Sequence, residues 1–398
     1  MMKLAVIFES SPFDRKGLFN AVHNRIKHLL ETGECEIDVY CVHSRDNALT
    51  RRLRHTPSVP SVDTVEIDGI KYQLLWYRFS ILDHMLLEKL HVRPWLFRSF
   101  MSKHVELLKG YDAVIAHSFT GALFAHKAHE LYGVPYYVTW HGSDVHTHPW
   151  RVPVIMEDTK SVMETAKCNF FVSNALLKAS DRITVQASKE VLYNGVSEDF
   201  VELSPADKTA ARERYGLSAE DKVVAFVGNL VPVKNVMVLP ELFAKIASGF
   251  TECLERGSAR SGSLKFWIVG DGKLRSTLES AFVQRDFDQV RFFGNVPSAD
   301  MPSIMNCVDL LVIPSLNEGL PLVCAEALRC GANVVGSDVG GIAEVIGIDN
   351  VVPLGDGFID ALSAKALSYL DTRSFQSLSP DFSWSLTAVR ELHSLSSE

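Results

Sequence analysis

Short apolar runs alternate along this chain with longer stretches of helical spacing. In the first half, Leu4–Phe8, Ile37–Val42, Ala113–Ala116, Tyr136–Thr139, Phe170–Ser173 and Arg182–Val185 are rich in apolar and β-branched residues. That rhythm predicts parallel strands joined by crossover helices. Val65–Ile67 and Tyr72–Trp76 flank Asp68-Gly69 and predict a hairpin added to this framework. From Leu18 to Leu30 the apolar spacing is helical, directly after Gly17. Ser204 to Asp221 is polar and charged and marks a connection. A second series follows at Val223–Val227, Phe266–Val269, Val290–Phe293, Leu310–Ile313 and Val334–Gly336. The stretch from Ala247 to Ser263 reads as a helix trailing into a Gly- and Ser-rich surface loop. The fold class is therefore α/β, with two Rossmann-like halves in succession.

Length supports that division, because 398 residues exceed one ordinary hydrophobic core and the 47% apolar share is ample for two. Lys and Arg total 40 against 48 Asp and Glu, a net charge of −8, which argues against a nucleic-acid binder that works by neutralising phosphates. Seven cysteines form no C-x-x-C pair and point to a reducing, cytoplasmic setting. The apolar stretch Leu4–Phe8 is too short for a signal-peptide core, and no later stretch approaches a spanning length. Contact with a membrane is thereby limited to the peripheral kind. Two segments keep that reading open: Arg45 to His55, with Arg51, Arg52 and Arg54, and Lys89 to His104, where basic residues interleave with Trp95, Phe97 and Phe100.

The candidate chemistry collects at strand ends, where open α/β sheets bind ligands. After Leu310–Ile313 the chain reads Pro-Ser-Leu-Asn-Glu318-Gly319-Leu320-Pro321, then enters a helix that carries Glu326. Pro321 suits a first helical turn. Two carboxylates at different depths, beside the unpaired N–H groups of Gly319 and Leu320, suit a ligand bearing hydroxyls and phosphate. Val223–Val227 ends in Gly228-Asn229 and leads to Lys234, a cation at the mouth of a helix. Gly270 and Gly272, and then Gly340 and Gly341 before Glu344, follow further strands and predict loops that a ligand approaches closely. In the first half, Tyr136–Thr139 runs into Trp140-His141-Gly142-Ser143-Asp144, placing an imidazole at a strand end. His146 and His148 lie nearby without a convincing metal-ligand set, and Gly17 sits where a loop can meet a phosphate. Asp286-Phe-Asp288 spells a D-x-D that could hold a metal but falls in a helix-to-strand connection, so no essential metal is expected.

Together these segments resemble the retaining glycosyltransferases of family 4, which have the GT-B architecture of two Rossmann-like domains facing each other across a deep cleft. The resemblance spans nearly the whole chain. Its most specific element is the Glu-x7-Glu spacing of Glu318 and Glu326, supported by the Gly228–Lys234 loop, Gly340-Gly341-Ile-x-Glu344 and Tyr193-Asn-Gly-Val196. It implies an acceptor-binding domain over 1–199, a donor-binding domain over 200–380 and a terminal helix over 381–398, opened by Phe382-Ser-Trp384, that crosses back to the first domain. It further implies that Glu326 accepts the ribose hydroxyls of a nucleotide-diphosphate sugar and that Lys234 grips the diphosphate. Glu318 with Gly319 and Leu320 would address the donor sugar, His141 the transferred sugar, and Gly17 and Gly228 the diphosphate. The nucleotide sugar is a co-substrate, no other cofactor is implied, and the acceptor would be a saccharide or a lipid-linked saccharide for cell-surface polysaccharide or glycolipid. Asn229 departs from the arginine usual in the family, with Lys273 or Arg275 as substitutes. A single Gly17 stands where paired glycines are common. Two alternatives remain: an epimerase or phosphorylase of the same architecture, and a nucleotide-sugar binding protein with little turnover.

Overall fold

A computed structural model describes residues 1–13, 17–44, 62–77, 81–255, 262–371 and 375–396. The basic segment Arg45 to His55 lies outside them. The chain forms two compact units, Met1–Gly195 with Ser383–Glu398, and Val196–Phe382. The Val196 N–H donates to the Phe382 carbonyl at 3.2 Å, so the two passes of the chain are tied together where the second unit begins and ends.

Among the described residues the first unit carries an eight-stranded sheet in the order β3-β4-β2-β1-β5-β6-β7-β8. Its strands are β1 (Met2–Glu9), β2 (Cys35–Ser44), β3 (Thr64–Ile67), β4 (Ile70–Tyr77), β5 (Ala113–His117), β6 (Tyr136–Trp140), β7 (Cys168–Phe171) and β8 (Lys189–Val191). All neighbours pair in parallel except β3 with β4. That pair is the expected hairpin: Asp68 and Gly69 both have positive φ, 51° and 77°, as a two-residue turn matched to strand twist requires. Burial of both faces explains the unbroken apolar runs of β1, β5 and β6.

The final strand differs from the sequence reading. Arg182–Val185 is turn, because Ile183 and Thr184 both donate backbone N–H bonds to Ser180 as the Asn174–Ser180 helix unwinds, and Val185 is left 75% exposed. The strand comes later, at Lys189–Val191, paired with β7. Strand β7 also starts earlier and ends before Ser173, whose hydroxyl caps the next helix by accepting the Leu176 N–H at 3.1 Å.

The Gly17–Glu31 helix buries Phe19, Val22 and Ile26 against Leu4, Val6 and Phe8. Ala388, Leu392 and Leu395 of the terminal helix Trp384–Ser396 complete the same core. These two helices also share a fully buried ion pair, Arg25 Nε to Glu391 Oε2 at 2.5 Å.

In the second unit the described strands run β11-β10-β9-β12-β13-β14, all parallel. They are β9 (Lys222–Val227), β10 (Leu264–Val269), β11 (Val290–Gly294), β12 (Leu310–Ile313), β13 (Asn333–Ser337) and β14 (Val351–Val352). Strand order reverses between β1 and β5 in one unit and between β9 and β12 in the other. Such switch points open a crevice at the carboxyl ends of the strands. Among the described residues no helix is long and apolar enough to cross a membrane.

Candidate active site

At the switch point of the second unit, β9 leads into Gly228 and β12 leads to the Glu318 loop. Leu316 donates its N–H to the Val233 carbonyl at 2.8 Å, which fastens the two loops together. Lys234 Nζ then meets Glu318 Oε1 at 2.6 Å, and the same oxygen accepts the Ser315 hydroxyl at 2.7 Å. Lys234 and Glu318 thus form one ion pair. Ser315, which sequence reasoning missed, holds the carboxylate in place and is fully buried itself.

Pro321 is extended, with ψ 93°, and caps the Leu322–Arg329 helix; it does not lie in the first turn as expected. The residue before a proline is pushed out of the helical region as well, so the Gly319-Leu320 segment stays open. Among the described residues, no hydrogen bond engages the N–H groups of Gly319 and Leu320. They remain available to an anion. Glu326 lies in the second turn of the same helix, half-buried, with no partner for its carboxylate among the described residues. Burial raises its pKa to about 7. A carboxylate held this far from water without a compensating donor suits ligand hydroxyls.

The glycines after β10 and β13 pack closely on the backbone of neighbouring loops. A Cβ at Gly270 would strike the Gly228 carbonyl, and one at Gly340, where φ is +54°, would strike the Glu318 carbonyl. Gly341 donates its N–H to the Gly319 carbonyl at 3.1 Å. Their close approach is to the backbone of the neighbouring loops, so they set the positions of Gly228 and Glu318. Asn229 is exposed, and its carbonyl accepts the Val231 N–H at 2.9 Å. Arg275 is paired with Asp271 at 3.2 Å and with Glu279 at 2.9 Å. Lys273 is exposed and has no ion pair among the described residues.

In the first unit, His141 follows β6 and packs on His117 at the end of β5, with 3.1 Å between His141 Nε2 and His117 Nδ1. His141 is half-buried, and burial together with the Arg25 charge lowers its pKa to about 3. Burial, Arg25 and His141 push His117 well below the usual range too. Both rings are neutral near pH 7, so one proton lies between them and His141 acts as a fixed hydrogen-bonding group rather than a titrating one. Asp144 accepts the backbone N–H of Gly142 at 2.8 Å and of His141 at 3.2 Å, locking the loop. His117 carried no signal in the sequence beyond ending a strand. Glu9, which ends β1 and accepts the Thr120 hydroxyl, sits at the same edge. Gly17 begins its helix with open space around the Cβ position. Among the described residues no cluster of three or more His, Cys, Asp and Glu side chains has a metal site's geometry.

Two α/β units, each with a sheet whose strand order reverses at a switch point, have the architecture of a GT-B glycosyltransferase, and the comparisons agree. Residues 207–371 match the family described as glycosyl transferases group 1, and residues 20–195 match the glycosyl transferase 4-like domain. The chain belongs to this glycosyltransferase family. It is 28% identical over 240 residues to TuaC of Bacillus subtilis (strain 168), a glycosyltransferase named for teichuronic acid biosynthesis. That match covers 60% of this chain and 55% of the relative, so the chain spans about half the length of the protein it matches. Sucrose-phosphate synthase from Thermosynechococcus elongatus shares the fold with a TM-score of 0.71 at 19% identity, over 99% of this chain and 98% of that one. The Anabaena protein HepE in complex with UDP gives 0.68 at 17% identity over 100% of both chains.

Proposed function

We propose that this protein transfers a sugar from a nucleotide-diphosphate sugar to a saccharide or lipid-linked acceptor, with retention of anomeric configuration, in the assembly of cell-surface polysaccharide or glycolipid. The observation that carries the proposal is the Lys234–Glu318 pair beside the unpaired Gly319 and Leu320 N–H groups and the unpartnered Glu326. An ammonium and oriented N–H groups act where negative charge develops on a departing diphosphate. Glu326 receives ribose hydroxyls, and His141 serves as a neutral hydrogen-bond partner of a sugar hydroxyl. A HepE structure contains UDP-glucose, which makes that compound the first donor to try.

The reaction in this reading needs no metal and no further cofactor. Asp286 and Asp288 precede β11, which places the D-x-D sequence at the amino-end edge of the parallel sheet, opposite the edge that carries Gly228 and Glu318. The exposed residues Leu90, Val92, Trp95 and Leu96, beside Lys89 and Arg98, support peripheral contact with an anionic membrane.

The test is to incubate the purified protein with a panel of nucleoside-diphosphate sugars, with and without acceptors, in EDTA. Proton NMR then reads the anomeric configuration of the product. Acceptor-dependent nucleotide release with retention is expected. Donor binding without transfer to any acceptor would favour a binding protein, and isomerisation of the sugar nucleotide an epimerase.

A further inference from the structure

The first unit holds a cavity of about 1290 Å³, framed by the helices Trp95–His104, Ser118–Tyr132 and Pro153–Thr165. Its lining carries many charges, and most of them are already answered. Arg93 Nε donates to Asp158 Oδ2 at 2.9 Å, and Lys127 Nζ meets Glu130 Oε2 at 2.8 Å. Arg98, Arg151 and Glu157 are exposed, so water and salt screen them. Burial lowers the pKa of His126, which leaves that ring neutral near pH 7.

Glu9 is the exception. It ends β1 at the switch-point edge of the sheet and lines the cavity, with Thr120 donating its hydroxyl to Oε2. Among the described residues no cation pairs with this carboxylate, and Oε1 has no hydrogen-bond partner. Burial raises its pKa, and the Thr120 hydroxyl is the group that opposes the rise. An ionised carboxylate withdrawn from water is costly until a cation answers it. Here the fold supplies one hydroxyl and leaves the charge over.

The missing partner can be described by its chemistry. Thr120 already occupies Oε2, so a single oxygen is left, which suits one N–H of an ammonium better than the two parallel donors of a guanidinium. One carboxylate is too small a ligand set for a metal ion. A neutral hydroxyl would reach Oε1 but leave the charge uncompensated. The hydroxyls of Ser102 and Ser161 and the rings of Phe97 and Phe119 line the same space, a mixture that fits the hydroxyls and the apolar faces of a saccharide. We infer that Glu9 makes this cavity a site for an amino sugar, whose ammonium bonds to Glu9 Oε1 and compensates its charge. That the ligand is a saccharide rests on the glycosyltransferase reading; that it carries a cation rests on Glu9.

Calorimetry at pH 7 tests it with methyl β-D-glucopyranoside, its 2-amino-2-deoxy and 6-amino-6-deoxy forms, and the 2-acetamido-2-deoxy form, which adds bulk without charge. A hydrogen bond to a charged group changes affinity by roughly 10- to 100-fold. At least one amino glucoside should therefore bind the wild-type protein tenfold or more tightly than the parent, and the acetamido form should not. Glu9→Gln keeps the shape without the charge and should bring the amino glucosides down to the parent's affinity. Glu9→Met removes the charge at similar length and serves if the first variant does not fold. Amino glucosides that bind no better than the parent, an equal gain with the acetamido form, or a preference that survives both variants overturns the inference. UDP-glucose is titrated separately into the wild-type protein: failure to bind it would overturn the donor reading and leave the comparison among glucosides standing.

Discussion

Glu326 allows the donor site to be tested through proton linkage. Burial raises its pKa from 4.5 to about 7, and nothing among the described residues compensates the ionised form. In the unfolded chain the carboxyl returns to its ordinary value. Between these two values the folded protein holds a proton that the unfolded chain has lost, so stability falls as pH rises from about 4.5 through 7. At about 1.4 kcal/mol per pKa unit, the full penalty reaches about 3 kcal/mol above pH 7, a ceiling for a side chain that is half-buried rather than sealed. Glu326→Gln keeps the shape without the charge. It should therefore be more stable than wild type at pH 8, by up to that amount, and equal to it near pH 4.

Donor binding should run in the opposite direction with pH. Ribose hydroxyls donate to an ionised carboxylate, so a protonated Glu326 must lose its proton before the contact forms. With a free-state pKa of about 7, the dissociation constant for UDP-glucose should be about 30-fold weaker at pH 5.5 than at pH 8. The diphosphate of a nucleotide sugar is fully ionised throughout this interval and adds no slope of its own. Isothermal calorimetry at the two pH values, with denaturant melts in the same buffers, measures both effects. Glu326→Gln should bind weakly at either pH and show no slope. A wild-type affinity constant within twofold, or an equal slope in the variant, would refute the assignment of Glu326 to the ribose.

Three further outcomes follow from the geometry. Lys234→Ala should lower turnover by about 10²–10³, with a smaller change in the donor KM, because the ammonium acts on charge that develops during bond cleavage; an unchanged kcat in steady-state assays would refute this. Glu391→Ala should destabilise the first unit by about 3–5 kcal/mol, since it strands a buried guanidinium whose Nη1 and Nη2 already lack partners. The double variant Arg25→Met with Glu391→Leu should recover most of that loss in urea titrations. Gly340→Ala should weaken UDP-glucose binding at least tenfold with an intact thermal transition, because φ is +54° there and the new Cβ displaces the Glu318 carbonyl; calorimetry decides it.

The parts of the site that were legible in the sequence are those where local chemistry and position coincide. Apolar runs located both sheets, and a glycine or carboxylate directly after such a run lies at the binding edge whatever the rest of the chain does. Glu318 lies in the loop after β12 and Lys234 in the loop after β9, while Glu326 stands further on, in the helix that follows Glu318. Arg182–Val185 misled because alternating apolar residues serve equally well to close a helix, and the choice is made by Ser180, whose carbonyl takes the next N–H groups. Gly270 and Gly340 were legible as points of close approach, but sequence does not say what approaches; the folded chain answers with Gly228 and Glu318. The pairs His117–His141, Ser315–Glu318 and Arg25–Glu391 differ in this respect. The first joins residues 24 apart and the last residues 366 apart, and nothing in either stretch reveals its partner. Ser315 and Glu318 are three residues apart, yet their contact depends on a loop held by Val233 from the loop after β9. His141 is therefore held neutral first by its burial and then by the charge of an arginine on a distant helix, itself fixed by a glutamate from the C-terminal helix. The residues proposed for the donor site are written locally, while the tuning of the histidine is a property of the assembled first unit.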